Sequence, residues 1–261
     1  MIIRLIMLLV IFLETGICYA ITSEQRGLEI ALETERRDAD FGDYFVEGTM
    51  TLTSPDGAVG QRQFKMYTLE MQDDGDKRLV EFVQPRDLAG MISLTFSHGL
   101  QADDQWLYMP ILRRTKRLAA RDKTGSFAGS EFAFEDISTW EVKKYTYKHL
   151  RDETLEGKAT FVVENTPSYP YSGYSRIMEW VDQSIYHPLK LVYFDKAGNK
   201  LKELRFYDYR QYQNRYWRPG KVVMTNFQTG AVSTIEWKNY AFQTGLTENK
   251  INPGALRRWV R

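Results

Sequence analysis

Between residues 44 and 54 the chain alternates, with Val46, Gly48, Met50 and Leu52 on one side and Phe45, Glu47, Thr49 and Thr51 on the other. A period of two is that of a half-buried strand, and Pro55-Asp56-Gly57 then supplies hairpin-turn chemistry. The texture recurs. Phe64 and Met66 lie in a run over 61–71, Asp73-Asp74-Gly75-Asp76 turns the chain, and Val80 and Phe82 lie in 77–83 before Pro85. Further runs occupy 105–109, 145–150, 159–164, 177–181, 190–194, 201–209, 216–227 and 232–241, with turn signals at 196–199, Pro219-Gly220 and Thr229-Gly230. About ten short strands in hairpin order, without crossover helices, predict a mainly β protein with short helices (α+β). Its single antiparallel sheet must curve strongly, because flat open sheets of that width are unusual. Helical pattern is confined to the ends. Thr22 and Ser23 cap a short helix over 24–33 whose Leu28, Ile30, Ala31 and Leu32 give only a partial apolar face, so it is expected to be peripheral. One helical turn is expected within 252–260.

The stretch 101–136 breaks this rhythm. The aromatic-rich run Gln105-Trp106-Leu107-Tyr108-Met109 is interrupted by Pro110, and a second run over 111–119 carries Arg113, Arg114, Lys116 and Arg117. After it, 126–136 sets Phe127, Phe132 and Phe134 among glycines, serines and acids with no clean period, which reads as an ordered loop. A large apolar loop must be covered. Either it plugs the protein's own core or it closes over an apolar ligand.

The N-terminus indicates the compartment. Arg4 precedes an uninterrupted apolar run over 5–13, then Glu14-Thr15-Gly16 and Cys18-Tyr19-Ala20. This is the layout of a secretory signal peptide cleaved after Ala20, and the run is shorter than the about 20 residues that span a bilayer. Lipoprotein anchoring at Cys18 would want a small residue before the cysteine, where Ile17 stands. With 1–20 removed, the expected product is one periplasmic domain over 21–261 without cysteine, which excludes disulfides and thiol chemistry. A formal net charge of +1 gives no indication of nucleic-acid binding. The 43% hydrophobic and 14% aromatic content suffices for a sizeable core.

Candidate chemistry is sparse. His98, His149 and His187 are far apart and lack metal-ligand neighbours at short spacing, so they read as structural imidazoles and no metal or cofactor is expected. The acidic clusters at 38–40, 73–76 and 103–104 lack the calcium-loop pattern. Glu131, Glu135 and Asp136 could form a glycosidase-type carboxylate pair, but caps and rims are the commoner fate of such residues, and no nucleophile elbow or phosphate loop is present. No enzyme is expected. The basic run Arg113, Arg114, Lys116, Arg117 is either an edge strand protected by charge or an electropositive rim that meets lipid phosphates.

The segment 103–114, Asp-Asp-Gln-Trp-Leu-Tyr-Met-Pro-Ile-Leu-Arg-Arg, followed by Gly125-Ser126-Phe127 and Gly129-Ser130-Glu131-Phe132, resembles the outer membrane lipoprotein-sorting proteins, a LolA-like family. The resemblance implies a half-open β-barrel with a helical and loop lid, the fold type also of LolB and RseB. It implies lipid or lipoprotein acyl chains in the hollow, an inner-membrane transporter and an outer-membrane acceptor as partners, and only transient membrane contact. Strand parity nominates the apolar wall: Val46, Met50, Leu52, Phe64, Met66, Val80 and Phe82 from the first strands. Later strands add Trp106, Tyr108, Leu191, Tyr193, Leu204, Phe206 and Met224, with the parity at 105–109 open to either choice. Such a wall either fills the interior or surrounds a hollow. Ala89, Gly90 and Met91 with Phe127, Phe132 and Phe134 form the expected lid, which swings aside for release. The expected function is that of a periplasmic carrier or chaperone. The alternative is a non-carrier sensor or accessory module of an RND or MMPL-type exporter or an envelope stress pathway.

Overall fold

The computed structural model describes residues 21–259, so the expected signal peptide, with Cys18, lies outside the described residues. A helix, α1 (Ser23–Asp38), precedes the strands β1 (Asp43–Thr53), β2 (Val59–Leu69), β3 (Lys77–Gln84), β4 (Ile92–Phe96), β5 (Asp104–Met109) and β6 (Arg114–Leu118). A short helix α2 (Phe134–Ile137) follows, then β7 (Tyr145–Leu155), β8 (Lys158–Pro167), β9 (Arg176–Asp182), β10 (Pro188–Phe194) and β11 (Lys200–Tyr207). The chain continues through β12 (Arg210–Tyr212), β13 (Tyr216–Arg218), β14 (Lys221–Asn226), β15 (Val232–Phe242) and α3 (Leu256–Trp259).

Thirteen strands form one antiparallel sheet in the order β6-β5-β4-β3-β2-β1-β15-β14-β11-β10-β9-β8-β7, while β12 and β13 form a separate ribbon. Every neighbour is sequential except β1–β15 and β14–β11, so the last two long strands are inserted at the centre. The sheet does not close: β6 and β7 are its two edges. The hairpin reading of the sequence holds for most strands. β4 was missed although Ile92, Leu94 and Phe96 alternate with Ser93 and Thr95; in the sheet Ile92, Ser93, Leu94 and Thr95 are all buried.

The two faces of the sheet are covered differently. On one face Val46, Met50, Phe64, Met66, Val80, Phe82, Leu191, Tyr193, Leu204 and Met224 belong to a single buried cluster, with Leu52 and Phe206 partly buried against it. Strands far apart in sheet order thus share one core, which requires the sheet to curve around it. Phe127 and Phe132 are inside that core, 1% and 3% exposed, and Phe127 lies 5.4 Å from both Phe82 and Phe134, ring to ring. Leu88 and Met91 of the β3–β4 turn pack on the same cluster, and Gly90 makes that turn at φ +79°. Over the β1–β3 side of the sheet, then, the aromatic loop acts as a plug.

Two sequence expectations are corrected. Trp106 and Tyr108 are not on the inner face. Their register neighbours Leu94 and Ile92 set them on the opposite face, where they pack with Leu79, Ile251 and Leu256 beneath the C-terminal segment. The inner positions of β5 belong to Gln105 and Leu107. Strand parity at 105–109 was open to either choice, and the side that is buried is the one a later segment covers; here α3 covers the outer one.

The N-terminal helix is also longer than expected and not peripheral. Thr22 and Gln25 form a reciprocal capping box, with Thr22 Oγ1 accepting from the Gln25 amide at 3.1 Å and Gln25 Oε1 accepting from the Thr22 amide at 2.9 Å. Ile30 is buried with Val142, Tyr147, Phe161, Val163 and Val181, so α1 lies across the inner face of β7–β9. Gly27 permits the close approach: a Cβ there would stand 2.8 Å from the backbone nitrogens of Lys148 and His149.

Candidate functional site

The core cluster fills the inner face beside β1–β3, but the other half of that face is hollow. A cavity of about 1010 Å³ lies between α1, the inner face of β7–β11 and the segment 135–145. Ile177, Val181, Leu191, Leu204 and Phe206 give it an apolar wall, and Tyr145, Tyr147, Tyr169, Tyr174 and Tyr193 turn into it from around that wall. Of the parity-nominated residues, Leu191, Tyr193, Leu204 and Phe206 line this cavity. Val46, Met50, Leu52, Phe64, Met66, Val80, Phe82 and Met224 pack in the adjoining core instead, because Phe127 and Phe132 occupy the space over them.

Sequence reasoning missed the contribution of β9. Ile177, Glu179 and Val181 alternate toward the cavity, yet a charged residue in the middle of the run made that face look like solvent. Register places Glu179 between Val163 and Leu191, both cavity residues. Its carboxylate accepts one hydrogen bond, from Asn165 Nδ2 at 2.7 Å, and burial pushes its pKa up to about 7. Asn165 Oδ1 has no hydrogen-bond partner. A buried carboxylate without a cation is costly, and the raised pKa is the usual response.

The mouth is acidic as well. Desolvation, with Asp76 close by, pushes Glu141 up to about 7, and desolvation pushes Asp76 up to about 6. Twelve aspartates and glutamates line the cavity and its mouth against four lysines and arginines. His187, also in the wall, is pushed down to about 4 by burial and stands 5.7 Å from the Tyr209 ring.

The segment 126–138 is held by polar ties as well as by its phenylalanines. Lys202 Nζ donates to Asp136 Oδ2 at 2.5 Å and to the Glu131 carbonyl at 2.9 Å, with the Lys202 and Asp136 side chains 6% and 2% exposed. Asp136 also accepts from Tyr174 Oη at 2.6 Å and from the Ala133 amide at 2.7 Å. Glu135 accepts from Tyr169 Oη, Ser172 Oγ and the Gly173 amide, at 2.5, 2.6 and 2.9 Å. Glu131 accepts from Asn226 Nδ2 at 2.6 Å. The three acids weighed for hydrolysis are thus tied by hydrogen bonds to the strands and loops around them. Lys144 pairs with Asp103, and both side chains are buried.

Outside the cavity, Arg113, Arg114, Lys116 and Arg117 are exposed on the β5–β6 hairpin and the edge strand β6. Arg117 pairs with Asp104 and lies over Trp106. Ile111 and Leu112 at the hairpin tip are 83% and 58% exposed. Among the described residues no group of histidine, cysteine and carboxylate side chains could hold a metal ion, and no helix is long and apolar enough to cross a membrane.

One unclosed antiparallel sheet, plugged over part of its inner face and hollow over the rest, defines a β protein built around an interior cavity. Solved structures share this fold. The chain is 43% identical to an outer membrane lipoprotein-sorting protein domain from Vibrio parahaemolyticus, with 90% of this chain and 100% of that one covered at a TM-score of 0.88. A DUF1329 family protein from Desulfovibrio piger is 25% identical over 90% of this chain and 99% of its own, at a TM-score of 0.85. A LolA superfamily protein from Nitrosomonas europaea, 20% identical with 89% and 98% covered, shares the fold at 0.70. A family described only as an uncharacterized protein matches residues 74–258. No curated protein matches the sequence. The chain belongs to the family of that outer membrane lipoprotein-sorting protein domain and shares its fold with the LolA superfamily protein.

Proposed function

We propose that this protein is a periplasmic carrier that holds a lipid, or the acyl chains of a lipoprotein, in the cavity over β7–β11 and passes it between membranes or membrane proteins. The observation that carries this reading is the 1010 Å³ hollow, walled by Ile177, Val181, Leu191, Leu204 and Phe206, on a sheet that stays unclosed. Each buried methylene of an acyl chain contributes about 0.8 kcal/mol to binding. The sheet works as a half-open β-barrel. Phe127, Phe132 and Phe134 with Met91, expected as part of a lid that swings aside, belong to the core beside the cavity and not to its lining, while α1 and the segment 135–145 border the entrance. The exposed Ile111 and Leu112 beside Arg113, Arg114 and Lys116 suit brief contact with an anionic membrane surface. An inner-membrane transporter supplies the cargo and an outer-membrane acceptor receives it. The role is not enzymatic, consistent with Glu131, Glu135 and Asp136 being engaged in structural ties.

Native mass spectrometry with lipid extraction, on protein purified from a bacterial periplasm without detergent, tests the reading. The expected result is a discrete added mass that extracts as lipid or acylated peptide. A clean protein mass, with no uptake of offered lipid, overturns it.

A further inference from the structure

An acyl chain explains the apolar wall but not what stands in the middle of it. Glu179 projects between Val163 and Leu191 into the cavity and, among the described residues, is held only by the neutral Asn165 amide. Tyr147, which also lines the cavity, has no lysine or arginine over its ring among the described residues, whereas Lys123 and Lys144 lie over Tyr169, Lys202 over Tyr174 and Tyr193, and Trp140 is stacked on Tyr145 at 4.0 Å. Tyrosine faces and a carboxylate beside an apolar wall are the chemistry that receives an ammonium group: the ring quadrupole attracts the cation and the carboxylate neutralises it. With Asp38, Asp40, Asp103 and Asp136 paired to Arg218, Arg215, Lys144 and Lys202, the remaining acids around the cavity and its mouth still outnumber its remaining lysines and arginines, which favours cations over anions.

We propose that the cavity is a site for cationic amphiphiles, in which an apolar chain lies on Ile177, Leu191, Leu204 and Phe206 while an ammonium group pairs with Glu179 beside Tyr147. This rests on the carrier reading and narrows it to cargo that bears an amine. Bound ammonium keeps Glu179 ionised, and its charge offsets the desolvation that otherwise favours the protonated acid.

Isothermal titration of the chain with dodecylammonium, dodecanoate and dodecyl maltoside, each below its micelle concentration, tests the assignment. Dodecylammonium is expected to bind at least about tenfold more tightly than dodecanoate, the ratio one charge-assisted hydrogen bond supplies. In E179Q the ratio of the dodecylammonium and dodecanoate affinities should largely collapse, with dodecyl maltoside still bound. If the variant is unstable, the comparison of head groups on the unmodified chain still decides. Equal dissociation constants for the three compounds, or a preference that survives E179Q, overturn the ammonium site and leave the carrier reading standing. Failure of all three to bind overturns both.

Discussion

The buried pair of Asp136 and Lys202 fixes the aromatic plug to the sheet, and the consequence of breaking it can be worked out. At 2.5 Å and an effective dielectric constant of about 20 the attraction is roughly 7 kcal/mol before desolvation. Replacing Asp136 by Asn keeps the shape but leaves the Lys202 ammonium with the Glu131 carbonyl as its principal acceptor, in a site where the lysine side chain is 6% exposed. Loss of one partner of such a pair costs about 3–5 kcal/mol. For a chain of this size that lowers Tm by about 10 °C. Urea denaturation followed by tryptophan fluorescence measures it for D136N, K202M and the double variant D136N/K202M. The double variant, with neither charge left uncompensated, should cost much less than the sum of the single changes. A D136N penalty below about 1 kcal/mol, or strict additivity in the double variant, would refute the claim that this pair pins the plug.

Two further outcomes follow from packing and titration. Gly27→Ala gains about 1 kcal/mol of helix propensity, but its methyl group would meet the β7 backbone at 2.8 Å, and overpacking at about 1–3 kcal/mol outweighs the gain; a raised Tm would show that α1 does not lie this close to β7. Glu179 has a folded pKa of about 7 against an ordinary 4.5, so the fold binds its proton more tightly than the unfolded chain does. The stability this gives is full at acid pH and is lost as pH rises through 7, a swing of about 3 kcal/mol for this residue. Glu141 and Asp76 act in the same direction, while His187, pushed down to about 4, acts oppositely only below about 6.5. Thermal melts of ligand-free protein should therefore show Tm falling from pH 6 to pH 8, with a shallower fall in E179Q; a flat profile in both proteins would contradict the burial of Glu179.

Hairpin order, the antiparallel sheet and much of the inner face were determined by the sequence itself. Period-two alternation between turn residues is a local signal, and Val46, Met50, Phe64, Met66, Val80 and Phe82 obey it. The LolA-like family was legible in 103–132 for a different reason, since its residues recur in order along the chain. Three things depended on tertiary structure. The outer placement of Trp106 and Tyr108 was decided by a C-terminal segment about 150 residues away that covers one side of β5. Whether the phenylalanine loop plugged or covered was decided by what faced it: Phe127 and Phe132 fill the space over β1–β3, whereas the face of β7–β9 is crossed by α1. The cavity itself came from that unequal filling. Its most informative residue, Glu179, resembles a solvent-facing charge in one dimension, because only the curvature of the sheet turns that side of β9 inward, and only the closure of α1 over it takes the carboxylate out of water.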